Sequence, residues 1–150
     1  TIVLSGCLSN GNDIASALQM GADIAYMGTR FINVKESQAE QNYKDMIMRS
    51  GAEDIVYTAA VSGVNASFLR PSLEAMGITE EQWKDTKKID FGNTSDLAES
   101  EAKAWKTIWS AGQGVSAITD SPKVTDLVLQ LKSEFIEAVE SQKKLLDLYS

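Results

Sequence analysis

The sequence has no histidine, one cysteine and no long apolar run across its 150 residues. The absence of histidine removes the Ser–His and Cys–His nucleophile pairs, the HExxH zinc site and the commonest general base. No metal ligand set and no catalytic residue is therefore assigned within the chain. A lone Cys7 cannot close an internal disulfide, which fits a reducing, cytoplasmic setting. No apolar stretch approaches the roughly 18 residues of a membrane span, so no membrane is expected as a partner. Positive charge is scarce: 14 basic residues face 21 acidic ones, for a formal net charge of −7. Such a balance repels a phosphate backbone, and nucleic acid is not expected as a partner either. Neither a Walker GxxxxGK[ST] nor a dinucleotide GxGxxG sequence is present, which argues against a P-loop ATPase and a Rossmann site.

The composition that remains is globular, 43% hydrophobic and 23% charged, and long enough to bury a core. The chain opens on Thr1-Ile2-Val3-Leu4-Ser5-Gly6, an apolar β-branched run that reads as a buried strand. Domains rarely begin on such a strand, so a piece of a longer polypeptide is expected. A helix then follows, with Asn12 as its predicted N-cap, Asp13 in its first turn, and Ile14, Ala17 and Leu18 at helical spacing. Gly21 marks its end. Ile24-Ala25-Tyr26-Met27 is a second buried strand, which the crossover makes parallel to the first. Ser37-Gln38-Ala39-Glu40 reads as a capping box for a helix carrying Tyr43, Met46 and Ile47 and stopping at Gly51.

Beyond residue 51 the pattern changes. Ile55 to Thr58 suggests a further strand, Pro71 opens a short helix ending near Gly77, and Thr79 to Gln82 forms another capping box. A loop is expected over 85–94, and Ala98, Ala102, Trp105 and Trp109 mark an amphipathic helix that ends before Gly112. Ser121-Pro122 starts the last helix, with Val124, Leu127, Val128, Leu131 and Phe135 on its buried side and a fraying end around Lys143-Lys144. Two or three strands cannot close a barrel by themselves, which again points to missing upstream neighbours. The fold class expected is α/β.

Two segments could carry chemistry. Ser5 to Gly11 is a glycine-containing turn between strand and helix, where backbone N–H groups and the helix N-terminus can meet a phosphate. A tight turn needing small residues explains it as simply. Tyr26-Met27-Gly28-Thr29-Arg30-Phe31 ends the next strand: Gly28 allows close approach, Thr29 offers a hydroxyl, and Arg30 serves either an anion or a salt bridge beneath the loop. Two adjacent parallel strands ending in such turns are more informative than either alone, because the last loops of a (β/α)8 barrel often share one phosphate site.

These residues, with Gly21-Ala22-Asp23, Val61-Ser62-Gly63-Val64-Asn65, Phe68-Leu69-Arg70-Pro71-Ser72 and Ile108 to Val115, resemble the C-terminal portion of the nitronate monooxygenase family. The resemblance runs through the chain in order. It implies the C-terminal part of a TIM (β/α)8 barrel over 1–51 and a mainly helical extension over 52–150 that packs on it. It also implies non-covalent FMN, an alkyl nitronate as small-molecule substrate, and O2. Gly6 and Cys7 would lie in the first phosphate loop, and Tyr26, Met27, Gly28 and Thr29 in the second. The family usually carries a second glycine where Cys7 stands, and often a glutamine at Tyr26; a cysteine adds bulk and disfavours positive φ. The catalytic base, a histidine in the family, would come from the upstream part of the barrel, which is the chief partner implied; a homodimer is compatible with this reading.

Other conspicuous residues have plainer readings. Trp105 and Trp109 suit one packed helix face, Gln113 a turn, the Glu80/Glu81 and Glu99/Glu101 pairs solvated faces, and Arg70 a surface or interface role. The alternatives are a related flavin barrel, such as an FMN-dependent enoyl-acyl-carrier-protein reductase, and a non-catalytic α/β interaction module.

Overall fold

The computed structural model describes residues 1–85 and 106–149. Its contacts group into two compact units, Thr1–Met48 with Gly114–Ser150, and Arg49–Gln113. This grouping differs from a single cut after residue 51, because the last helix belongs with the opening β-α-β segment. The architecture is mixed α/β.

In the first unit, β1 (Val3–Ser5) and β2 (Ile24–Tyr26) pair in parallel through helix α1 (Gly11–Gln19), with Val3 opposite Ile24, Leu4 opposite Ala25 and Ser5 opposite Tyr26. The N-cap of α1 is Asn10, not Asn12. Asn10 Oδ1 accepts from the Asp13 amide at 2.9 Å, while Asp13 Oδ2 accepts from the Asn10 amide at 3.2 Å. That reciprocal pair needs an acid three positions after the cap, a spacing that Asn10 and Asp13 have. The C-terminus of α1 ends as its glycine suggests. Gly21, at φ +96°, donates to the Leu18 carbonyl and Ala22 to that of Ala17, the paired bonds of a Schellman stop.

Helix α2 (Thr29–Ile32) follows β2 directly, and α3 spans Gln41–Arg49. The capping box at Ser37 does not form. The Ser37 hydroxyl accepts from the Ala39 amide at 3.1 Å, and helix α3 begins only at Gln41. The reason lies in buried Lys44, whose ammonium donates to the Val34 carbonyl at 2.7 Å and the Ser37 carbonyl at 3.0 Å. Two carbonyls of the turn are thereby drawn to a side chain and not to helical amides.

The last helix, which we call α6 (Val124–Tyr149), lays Leu127 and Leu131 against Val34, with Ile14, Met27, Phe31 and Val124 around them. Val128, expected inside, is 50% exposed at the edge of that stripe. The helix continues through Lys143 and Lys144, where Lys143 pairs with Glu140 at 2.6 Å. Helices α1 and α6 touch at Gly11. A Cβ there would collide with the Leu131 carbonyl, the Phe135 amide and Glu134 Cβ, and the Gly11 amide donates to Glu134 Oε2 at 2.7 Å.

The strands themselves are not buried as expected. Alternation puts Val3, Ser5, Ile24 and Tyr26 on one face, and Val3, Ile24 and Tyr26 are 53%, 48% and 62% exposed. The helices cover only the opposite face, that of Leu4 and Ala25.

The second unit holds β3 (Ile55–Thr58), foreseen from sequence, and β4 (Ala66–Leu69), which was not. They form an antiparallel hairpin, Ile55 opposite Leu69 and Thr58 opposite Ala66. Helix α4 (Arg70–Ala75) carries Pro71 in its first turn and stops at Gly77, φ +75°. Helix α5 (Glu80–Lys84) opens with the Thr79 amide donating to Gln82 Oε1 at 2.8 Å. Val61, Phe68, Leu73, Ile78 and Ile108 make the core. The 85–94 loop, except Asp85, and the 98–109 helix up to Trp105, with Glu99 and Glu101, lie outside the described residues. Trp109 is not helical: its carbonyl accepts from the Leu69 amide at 2.8 Å and its amide donates to Ser72 Oγ at 3.0 Å.

Candidate functional site

Because β1 and β2 are parallel with Ser5 opposite Tyr26, the turns after them leave the same sheet edge about 4.8 Å apart in the pairing direction. The first turn begins with Gly6 at φ +97° and Cys7 at φ +57°. Cys7 is the only non-glycine with positive φ among the described residues. A side chain there costs about 1–2 kcal/mol, and the thiol stands exposed at the turn. The position where the family resemblance has a second glycine is therefore a position that uses glycine's conformation.

Past Cys7 the chain is held tightly. Ser9 and Asn10 amides both donate to Asp13 Oδ2, at 2.7 and 3.2 Å. With Glu134 on the Gly11 amide, the tip of α1 already has two carboxylates. The helix N-terminus, expected to help receive a phosphate, is thus supplied with its own acceptors. Ser9 Oγ donates to the Gly114 carbonyl at 2.8 Å, and Gly114 presses on this turn so closely that a Cβ would lie 3.0 Å from the Cys7 carbonyl carbon. In the sequence Asp13 reads only as a first-turn acid, and Ser9 and Gly114 only as members of longer segments. The acid three residues after Asn10 was a readable signal for the first network; the contact with Gly114 left only the Gly-Gln-Gly spacing.

In the second turn Gly28 precedes α2, with no atom within 4 Å of where a Cβ would sit. Thr29 is half-buried beside it, Tyr26 is exposed, and the Met27 side chain packs into the Val34–Leu127–Leu131 cluster. Met27 thus offers the turn its backbone only. Arg30 serves the fold: 3% exposed, it donates to Asp120 Oδ1 at 2.7 Å and to the Asp120 carbonyl at 3.2 Å, which Asn33 Nδ2 also reaches at 3.0 Å. This is the salt bridge beneath the loop. The opposite end of the Asn33 amide, Oδ1, is buried without a partner. Gly112-Gln113-Gly114 leads into a 3-10 turn, Gln113–Ala117.

A separate cleft of about 1060 Å³ lies wholly in the second unit, between β3 and helices α4 and α5, lined by Tyr57, Arg70, Glu74, Trp83 and Lys84 among others. Sequence reading gave no hint of it. Arg70 also approaches Asp54 at 4.0 Å and donates to the Glu53 carbonyl.

The fold and site define a mixed α/β protein that brings two small-residue turns together at the C-terminal ends of parallel strands. The family model described as nitronate monooxygenase matches residues 1–134, and the chain belongs to the nitronate monooxygenase family. A nitronate monooxygenase of Paraburkholderia phytofirmans is 28% identical over 149 residues, covering 95% of this chain and 40% of that protein. The nitronate monooxygenase npaC of Metarhizium robertsii is 27% identical over 112 residues, 72% of this chain and 31% of the relative. Among solved structures, FabK from Thermotoga maritima superposes with a TM-score of 0.72 at 26% identity, over 95% of this chain and 46% of that one. Nitroalkane oxidase from Streptomyces ansochromogenes does so at 0.66 and 28%, over 93% and 40%. The chain therefore spans less than half the length of these relatives.

Proposed function

We propose that this chain supplies the phosphate-binding side of an FMN-dependent oxidoreductase, a nitronate monooxygenase that oxidises an alkyl nitronate with O2. In this reading residues 1–51 are the closing part of a TIM barrel, whose upstream strands would pair along the free edges of β1 and β2 and whose interior side chains would cover their open face. The observation that carries it is the juxtaposition of the Gly6–Cys7 and Gly28–Thr29 turns at one sheet edge. The fit to a phosphate is best at Gly6, Cys7 and Gly28: the Cβ positions of both glycines are open, the turns are neighbours, and the carboxylates of Asp13 and Glu134 are taken up by the Ser9, Asn10 and Gly11 amides further along.

Gly6 and Cys7 would hold the phosphate through the backbone. Met27 and Gly28 would hold it from the second turn through main-chain atoms, Thr29 would add a hydroxyl, and Tyr26 would extend the apolar wall from the strand face. When bound, FMN supplies the two-electron oxidation of the substrate and the reaction of the reduced ring with oxygen. The proton-accepting base comes from the upstream part of the barrel. A cytoplasmic setting, with or without a homodimer, completes the reading.

Titration of the full-length protein with FMN tests it. Quenching of flavin fluorescence is expected for the natural sequence and its loss for Gly28→Trp, which fills the open space at the second turn; a protein that stays colourless at saturating FMN sinks the reading. The likeness to FabK favours a second reading, a related flavin barrel such as an enoyl-acyl-carrier-protein reductase. Oxygen uptake with an alkyl nitronate, against NAD(P)H-dependent enoyl reduction, separates the two.

A further inference from the structure

The first turn is held from behind by a residue far along the chain. Ser9 is 4% exposed, and its hydroxyl donates to the Gly114 carbonyl at 2.8 Å. A Cβ on Gly114 would lie 2.5 Å from Ser9 Oγ, 3.0 Å from the Cys7 carbonyl carbon and 3.1 Å from Cys7 Cα. Gly114 has no positive φ of its own; a glycine is needed there for closeness, not for conformation. The residue it presses on is Cys7, the left-handed non-glycine. On the other side, the Ser9 amide is fixed by Asp13 at 2.7 Å.

We propose that Ser9 and Gly114 form a latch that keeps Cys7 left-handed, and that this latch makes the site selective for a phosphorylated flavin over its phosphate-free form. A non-glycine residue in the left-handed region stays there only when its surroundings over-determine it. Release of Cys7 to negative φ rotates the amides on both sides of it, the groups that face the phosphate in the flavin reading on which this inference rests. The isoalloxazine ring does not depend on those amides. Ser9 and Gly114 are positioning residues, acting through Cys7 without touching the ligand. Where the family resemblance has glycine at position 7 the conformation is cheap; with cysteine it has to be enforced.

The experiment is a pair of fluorescence titrations, FMN and riboflavin, on the full-length protein and its Ser9→Ala, Gly114→Ala, Cys7→Gly and Ser9→Ala/Cys7→Gly variants. Ser9→Ala and Gly114→Ala are each expected to weaken FMN about 10-fold while riboflavin moves by less than about twofold. Cys7→Gly in the Ser9→Ala background is expected to restore most of the FMN affinity, because glycine reaches the left-handed region without the steric cost a cysteine meets there. If Gly114→Ala does not fold, as apo-protein circular dichroism would reveal, the Ser9→Ala pair carries the test by itself. Equal losses for FMN and riboflavin, no loss for either, or no restoration by Cys7→Gly overturns the latch while leaving the flavin reading intact. A natural sequence that binds neither flavin overturns both.

Discussion

Cys7 shows how one side chain reports on a backbone requirement. In the sequence it is a departure from a glycine pair; in the structure it sits at φ +57°, where glycine is at ease. Cys7→Gly relieves that strain but frees the unfolded chain by a similar amount. Chemical denaturation is therefore expected to place the variant within about 1 kcal/mol of the parent. Arg30 behaves differently. Its guanidinium is buried and its carboxylate partner Asp120 is 56% exposed, so removing the carboxylate strands a desolvated charge. Asp120→Ala is expected to lower stability by about 1–3 kcal/mol, read from the urea midpoint. At the surface, the hydrogen bond and charge of Lys84, 2.5 Å away, hold the Glu80 carboxyl below the usual carboxylate range. A depressed pKa means that the pairing is present at neutral pH and is lost as pH falls through the lowered midpoint. NMR titration should find Glu80 below the ordinary glutamate value, and Lys84→Ala should raise it towards that value.

Among the elements, the close packing of α1 on α6 rests on Gly11. Adding one methyl drives into α6 backbone atoms that cannot rotate away. Gly11→Ala should therefore cost about 1–3 kcal/mol despite alanine's better helix propensity, measurable as a lower thermal midpoint. The elements readable in advance were those with local causes: the β1-α1-β2 crossover, the glycine stops at Gly21 and Gly77, and the Thr79 cap. The misplaced ones had distant causes. Ser37 lost its capping role to Lys44, seven residues on. β4 was hidden in Ala66-Ser67-Phe68-Leu69, because its pairing comes from β3 and from the backbone near Trp109. The two turns of the candidate site were legible for the same local reason, being small residues at strand ends; the Ser9–Gly114 contact was not, because no local pattern encodes an approach across more than a hundred positions.

For the molecule as a whole, the open face of Val3, Ile24 and Tyr26, with Ile2 at 62% exposure beside it, is a place where apolar surface meets water. Residues 1–150 prepared alone are expected to bind a hydrophobic dye and to self-associate with rising concentration. Sedimentation showing a stable monomer at all concentrations would contradict that expectation. The division into units also has a consequence in time. Residues 1–48 pack with 114–150, so α1 and β2 leave the ribosome well before the helix that covers them. At roughly 5–20 residues per second, the opening β-α-β segment waits several seconds for α6. Residues 49–113, which group as a unit of their own, can settle during that wait. The same interval leaves the segment bearing both turns exposed to chaperones and proteases, and a stop codon shortly before residue 124 would leave it so permanently.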